Sequence, residues 1–310
     1  MKKSALAPVV ATGVAAALVY ALAPRRPRIR AGQVAVITGG SRGLGLALAH
    51  RFGRAGLRLV LAARKQDELG AAQRDLVDSG DVLSADDILP VACDLTDPAE
   101  AVRLVDRTLE RFGALDVLIN NAGIIEVGAV EDQPLEAYER AMRTNFFAAL
   151  YTVHAALLCL LAHGGAIVNI SSVGGKIPVP HLAPYVAAKF ALTGFSETLH
   201  AELRYRGVRV TTVCPGLMRT GGEAHAIFLG QSEKEQRWFN LGAKTPGIAV
   251  SATHAANRIF DAVNAGRAEI TISPQAWLAA RMHGMWPECV QQAAAVVNRV
   301  ALPEPLARLD

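Results

Sequence analysis

The chain has 310 residues, 51% of them apolar and 19% charged, which excludes a disordered polypeptide and fits one large domain. Its formal charge of +4 is local. Lys2, Lys3, Arg25, Arg26, Arg28 and Arg30 carry the excess, and residues 31–310 hold 26 basic and 28 acidic side chains, a balance of −2, which argues against a nucleic-acid partner.

The segment Leu6–Ala23 is uncharged and apolar, and as a helix it reaches about 27 Å, enough to cross a bilayer. It predicts an amino-terminal transmembrane helix in contact with lipid through residues 6–23. That makes a single-pass membrane protein, and four arginines after the run place its body on the cytoplasmic side. A cleaved signal ending at Ala21-Leu22-Ala23 and a helix packed on the domain are the alternatives.

After a basic connector, strands and helices alternate. Strands are predicted at 34–38, 57–62, 88–93, 117–120, 166–170, 208–213 and 269–272. Helices are predicted at 46–56, 66–79, 98–112, over 134–162 as one or two, at 185–206 and at 249–264. Residues 217–246 read as a mobile, mixed segment. This is the pattern of an α/β protein with a single Rossmann-type, doubly wound parallel sheet of about seven strands. In the tail, Trp277, Leu278, Met282, Met285 and Trp286 share one helix face, Pro287 breaks the pattern, and a second helix follows at 290–300. Packing on the body, membrane-surface contact and subunit contact are open readings of that helical carboxy-terminal extension. The division is 1–30 anchor and connector, 31–272 the α/β domain, and 273–310 the extension. Cys93, Cys159, Cys214 and Cys289 lie far apart and the eight histidines are scattered, so reduced thiols and no metal site are expected.

Thr38-Gly39-Gly40-Ser41-Arg42-Gly43-Leu44-Gly45 follows the first strand and opens a helix. Glycines 39, 43 and 45 permit a sharp turn and close approach to a pyrophosphate, with the helix N–H groups aimed at the anion. It is not the GxxxxGK[ST] loop of kinases and ATPases. The second strand ends in Ala63-Arg64, without the acidic residue that would receive free ribose hydroxyls. Arg42 and Arg64 instead suit a 2′-phosphate, so NADP(H) is expected over NAD(H). Asp94-Leu95 could hold the adenine, or Asp94 could cap its own turn. Asn120-Asn121-Ala122-Gly123 closes the fourth strand, where amides can bridge strands and hold a cofactor edge.

Ser172 follows the strand Ala166–Ile170, and Tyr185 and Lys189 stand four apart on one helix face. A phenol beside an ammonium can give a proton to a carbonyl or take one from an alcohol, while Ser172 bonds the same oxygen. Tyr185 and Lys189 also border the cofactor, where Lys189 can hold its ribose hydroxyls, and Asn145 is read as placing a water that links Lys189 to solvent, or as a satisfied core amide.

These pieces, TGGSRGLG at 38–45, NNAG at 120–123, Asn145, Ser172, Tyr185-Val-Ala-Ala-Lys189 and Pro215-Gly216, make the chain resemble the short-chain dehydrogenase/reductase family over about 32–272. The resemblance implies a catalytic tetrad of Asn145, Ser172, Tyr185 and Lys189 and strand order 3-2-1-4-5-6-7. It implies cofactor contacts at Arg42, Arg64, Asp94, Asn121, Pro215, Gly216 and Thr220, and a homodimer or homotetramer. The implied activity is NADP(H)-dependent interconversion of a carbonyl and an alcohol. Epimerisation or dehydration on the same fold, and an NADP(H)-sensing interaction protein, are the alternatives. Val173, Val179, Leu182, Leu217, Met218, Ile227, Phe228 and Leu229 suggest an apolar or lipid-like alcohol or ketone.

Overall fold

The computed structural model describes residues 29–221, 226–244 and 249–306. Seven parallel strands form the central sheet: β1 (Val34–Thr38), β2 (Arg58–Ala63), β3 (Ile88–Ala92), β4 (Val117–Asn120), β6 (Ala166–Ile170), β7 (Arg209–Pro215) and β11 (Glu269–Ile272). Their spatial order is β11-β7-β6-β4-β1-β2-β3, which is the expected 3-2-1-4-5-6-7. Every position of β1 is buried because both faces of the sheet are covered. Side chains alternate: Ala35 and Ile37 join one core, Val34 and Val36 the other.

The first core lies under α1 (Gly43–Gly53), α2 (Gln66–Asp78) and α8 (Ala252–Asn264), where Phe52 meets Phe260 edge to face at 5.1 Å. The second lies under α3 (Pro98–Phe112), α5 (Ala148–His163) and α6 (Ala183–Leu203). Local signals fix the ends. Asp97 caps α3 through the Ala99 N–H, Pro98 takes its first turn, and Gly113 closes it in the left-handed conformation. The order of strands reverses between β1 and β4, so a cleft opens at their carboxyl ends.

Several elements differ from expectation. The helix after the glycine turn starts at Gly43, so the last glycines are its first turn. Helix α6 starts at Ala183, with Pro184 inside the first turn, where its missing N–H is harmless. The segment read as mobile contains short strands β8 (Met218–Arg219), β9 (Ile227–Phe228) and β10 (Val250–Ser251) and a helix, α7 (Ser232–Lys244). β9 pairs with β5 (Glu126–Val127) and β10 with β8. The extension forms α9 (Pro274–Met285) and α10 (Pro287–Ala301), with Pro287 beginning the second helix. Trp277, Leu278, Met285 and Trp286 are exposed, so that face does not pack on the body.

The expected amino-terminal transmembrane helix is corrected. Residues 6–23 lie outside the described residues. The one stretch among the described residues long and apolar enough to cross a membrane is Leu135–His163, whose most apolar 18 residues have a mean hydropathy of 1.8. It comprises α4 (Leu135–Met142), a π-helical turn (Arg143–Phe147) and α5. Its apolar residues serve the second core, where Val153, Ala156 and Leu160 are buried, and its Asn145 and Thr152 bond into the strand ends. It is a layer of the α/β domain.

Candidate active site

The glycine turn is braced from β4. Thr38 Oγ1 accepts the N–H groups of Asn121 and Ala122 at 2.9 and 3.0 Å, and Asn121 Nδ2 donates to the carbonyls of Thr38 and Gly39 at 2.9 and 3.2 Å. A Cβ on Gly45 would stand 2.0 Å from the Gly39 oxygen, so only glycine lets α1 cross the turn so closely. Arg42, at the cap of α1, makes no side-chain cap bond, and the first turn holds no acid. Its amide donors and positive end therefore suit an anion, and the residues present fit a dinucleotide pyrophosphate. Thr220 backs this turn, its carbonyl oxygen 3.2 Å from where a Gly43 Cβ would lie.

Arg42 and Arg64 are both exposed, and Arg42 Nη1 contacts Glu68 Oε1 at 3.4 Å. Asp94 Oδ1 accepts from the N–H and hydroxyl of Thr96 at 3.0 and 2.8 Å, which is the turn-capping use of that side chain. Leu95 is buried. Pro215 ends β7, and the Gly216 N–H donates to Ile272 O at 3.0 Å, tying the loop to the sheet edge.

The structure brings the four expected reacting residues together at the ends of β4 and β6. Ser172 Oγ and the Tyr185 ring flank Gly174, 3.5 and 3.6 Å from where its Cβ would lie, and Ser172 Oγ accepts the Gly174 N–H at 3.0 Å. One helical turn on, Lys189 is buried, donates to Ile170 O at 2.9 Å and lies 5.6 Å from the Tyr185 ring centre. Asn145 sits in the π-helical turn, a distortion that often marks functional positions. Its Nδ2 donates to Ile124 O and Ala141 O at 3.0 and 3.1 Å, and its Oδ1 accepts the Ile124 N–H at 3.2 Å. Gly123 lies between them: a Cβ there would be 2.6 Å from Asn145 Oδ1 and 3.6 Å from Lys189 Nζ.

Burial raises the Tyr185 phenol above its ordinary range, and the neighbouring Ser172 side chain offsets part of this. Burial lowers Lys189 to about 8. The nearby Cys214 thiol is pushed up to about 12, mainly by burial, and is inert as a nucleophile at neutral pH. The arrangement holds a protonated phenol in a cleft beside a lysine still largely cationic at neutral pH.

A polar ladder under these residues escapes a motif reading. Thr152 donates to Asn120 at 2.6 Å, Asn120 to Asn169 at 2.9 Å, Asn169 to Ser196 at 3.0 Å, and Thr212 to Ser196 at 2.7 Å. Ser171 bonds Thr193 at 2.7 Å. Residues 185, 189, 193 and 196 recur at helical spacing, a polar stripe on a face that the parallel sheet must bury, and this was the signal available in the sequence.

The short chain dehydrogenase profile matches residues 33–226. A dehydrogenase/reductase SDR family protein 7-like of Anopheles gambiae is 34% identical over 251 residues, covering 81% of this chain and 78% of the relative. A D-beta-hydroxybutyrate dehydrogenase of Rhizobium meliloti is 35% identical, over 61% of this chain and 72% of its own. Among solved structures, an actinorhodin polyketide ketoreductase variant with NADPH superposes with TM-score 0.68 at 29% identity, covering 79% of this chain and 97% of that one. A Burkholderia phymatum short-chain dehydrogenase solved with NAD has TM-score 0.75 at 24% identity, covering 90% and 99%, and shows the fold.

Fold and site thus define an oxidoreductase built on a dinucleotide-binding sheet. The chain belongs to the short chain dehydrogenase family, whose chemistry is hydride transfer between carbonyl and alcohol groups with a nicotinamide cofactor.

Proposed function

We propose that the protein is an NADP(H)-dependent reductase and dehydrogenase for an apolar ketone and its alcohol, with residues 31–272 as catalytic domain and 273–310 as extension. The observation that carries this reading is the convergence of Ser172, Tyr185, Lys189 and Asn145 beside a glycine turn that fits a pyrophosphate. Preference for the phosphorylated cofactor is supported by Arg42, Arg64 and Lys65 around the end of β2, where no acid follows the strand directly. An apolar substrate is supported by the exposed Leu217 and Ile227 and the half-buried Val173 and Val179, whereas Leu182 and Met218 belong to the body. Relatives named as a polyketide ketoreductase and a hydroxybutyrate dehydrogenase work on keto and hydroxy compounds. Leu158 on α5 and Phe190 on α6 are exposed and suit self-association.

When bound, the nicotinamide cofactor supplies or accepts the hydride at the substrate carbon. In reduction Tyr185 gives its proton to the carbonyl oxygen, and the raised phenol pKa keeps that proton in place at neutral pH. Ser172 donates a hydrogen bond to the same oxygen as negative charge grows there. The Lys189 ammonium stabilises the phenolate that results, and Asn145 fixes the backbone at Ile124 beside Lys189. Asp94, Leu95, Asn121, Pro215, Gly216 and Thr220 complete the proposed cofactor wall.

The test is turnover of NADPH with a panel of ketones by the wild type and by Tyr185→Phe. The variant should lose at least about 100-fold in kcat/KM and keep its affinity for NADPH. Unchanged turnover would overturn the proton-donor assignment, and NADPH binding without turnover of any ketone or alcohol would favour a sensor.

A further inference from the structure

Arg42 and Ser41 of the glycine turn meet Lys65, which precedes α2 and follows Arg64 in the chain. One carboxylate stands among them. Glu68 accepts a hydrogen bond from Ser41 Oγ at 3.2 Å and from Arg42 Nη1 at 3.4 Å, and pairs with Lys65 Nζ at 3.0 Å. These are the donors a 2′-phosphate needs, and they are already satisfied by an anion of the protein itself.

We propose that Glu68 is a built-in competitor for the 2′-phosphate: its carboxylate holds Ser41, Arg42 and Lys65 until the phosphate displaces it, which narrows the preference for NADP(H) over NAD(H). The inference rests on the 2′-phosphate reading above. Three observations support it. First, the Glu68 side chain is 26% exposed on a helix surface, so it can turn into water without unpacking a core. Second, its partners Arg42 and Lys65 are more exposed still, and exposed ion pairs of this kind are weak enough to exchange. Third, the hydrogen bond from Lys65, with Arg42 assisting, holds the carboxyl below its usual range, so it is fully charged at neutral pH. A phosphate cannot share the donors with that charge nearby; a ribose with free hydroxyls leaves the carboxylate in place.

The contrary role is that of a positioning residue, in which Glu68 holds Arg42 in the shape the phosphate needs. The two roles predict opposite signs. Calorimetric titration of the full chain with 2′,5′-ADP and with 5′-AMP separates them without any turnover. Glu68→Gln conserves shape on an exposed helix face. It should tighten 2′,5′-ADP about fivefold, leave 5′-AMP within about twofold, and lose its advantage as salt rises. NADPH and NADH, followed by fluorescence, should repeat that pattern. Equal or weaker 2′,5′-ADP binding by Glu68→Gln overturns the competitor. Arg42→Ala keeps this failure distinct from failure of the reading beneath it. If Arg42→Ala weakens 2′,5′-ADP, the phosphate site stands whatever Glu68 does. If Arg42→Ala changes nothing and the wild type binds 5′-AMP as well as 2′,5′-ADP, the phosphate site itself is wrong.

Discussion

Lys189 is placed where a charge is expensive to keep. Below pH 8 both the folded and the unfolded chain carry its proton, and the folded form bears the whole penalty of a buried ammonium. Between pH 8 and the ordinary lysine range the folded chain has released the proton while the unfolded chain still holds it, so this residue makes stability rise with pH across that window. Lys189→Met should therefore abolish activity and yet stabilise the fold by about 1–2 kcal/mol at pH 7, after allowing for the lost bond to Ile170 O. Urea unfolding at pH 7 and at pH 9.5 tests this: the advantage should shrink at the higher pH, and parallel pH slopes for the two proteins would refute it. At this scale the sequence was most informative where chemistry constrains spacing, as for Tyr185 and Lys189. Glu68 was not visible, because a glutamate in the first turn of a helix is ordinary and only the fold places it over Arg42.

Among the elements, α7 shows what a hydrophobic pattern misses. Its inward-facing Glu235 is buried and meets His181 Nδ1 at 2.6 Å, on the loop that leads into α6. The helix sets that carboxylate and other polar residues among Trp238 and Phe239, the latter packed on Phe228, so its apolar stripe is broken and 217–246 read as irregular. Strands β1, β4 and β6 matched their expected limits because continuous apolar runs bounded by glycine or polar residues leave little choice. His181→Asn should be tolerated by the backbone, since His181 has φ +64° and asparagine accepts that conformation. The shorter side chain leaves Glu235 buried, and already its Oε2 has no hydrogen-bond partner. The expected loss is about 3 kcal/mol in unfolding free energy, with a raised KM for the ketone and unchanged affinity for NADPH. A variant of wild-type stability would show that the pair does not hold α7.

For the whole molecule, composition spoke less clearly. A mean hydropathy sufficient for a membrane occurs in Leu135–His163, which belongs to a layer of the α/β domain, so an apolar stretch by itself does not report an anchor. The extension was legible as two helices but not in its packing. After α10 the chain returns across α7: Gln231 donates to Glu304 O, and the Leu306 N–H donates to Asp132 at 3.0 Å. Ending the chain at Leu302 should speed amide exchange in α7 and leave the central sheet protected, as read by hydrogen exchange. Equal protection of α7 would show that the return is incidental.

The contact of Phe52 with Phe260 joins the first helix of the domain to one near its end. Translation delivers α1 and the central strand β1 early, while α8, which covers the same core, emerges some 200 residues later. Until then Leu48, Phe52 and their neighbours have α2 beside them but lack the helix that covers them. Sheets closed by such distant contacts fold slowly and expose apolar surface while they wait. The first core therefore stays open through most of the chain's synthesis, and the opening third cannot finish folding before α8 arrives.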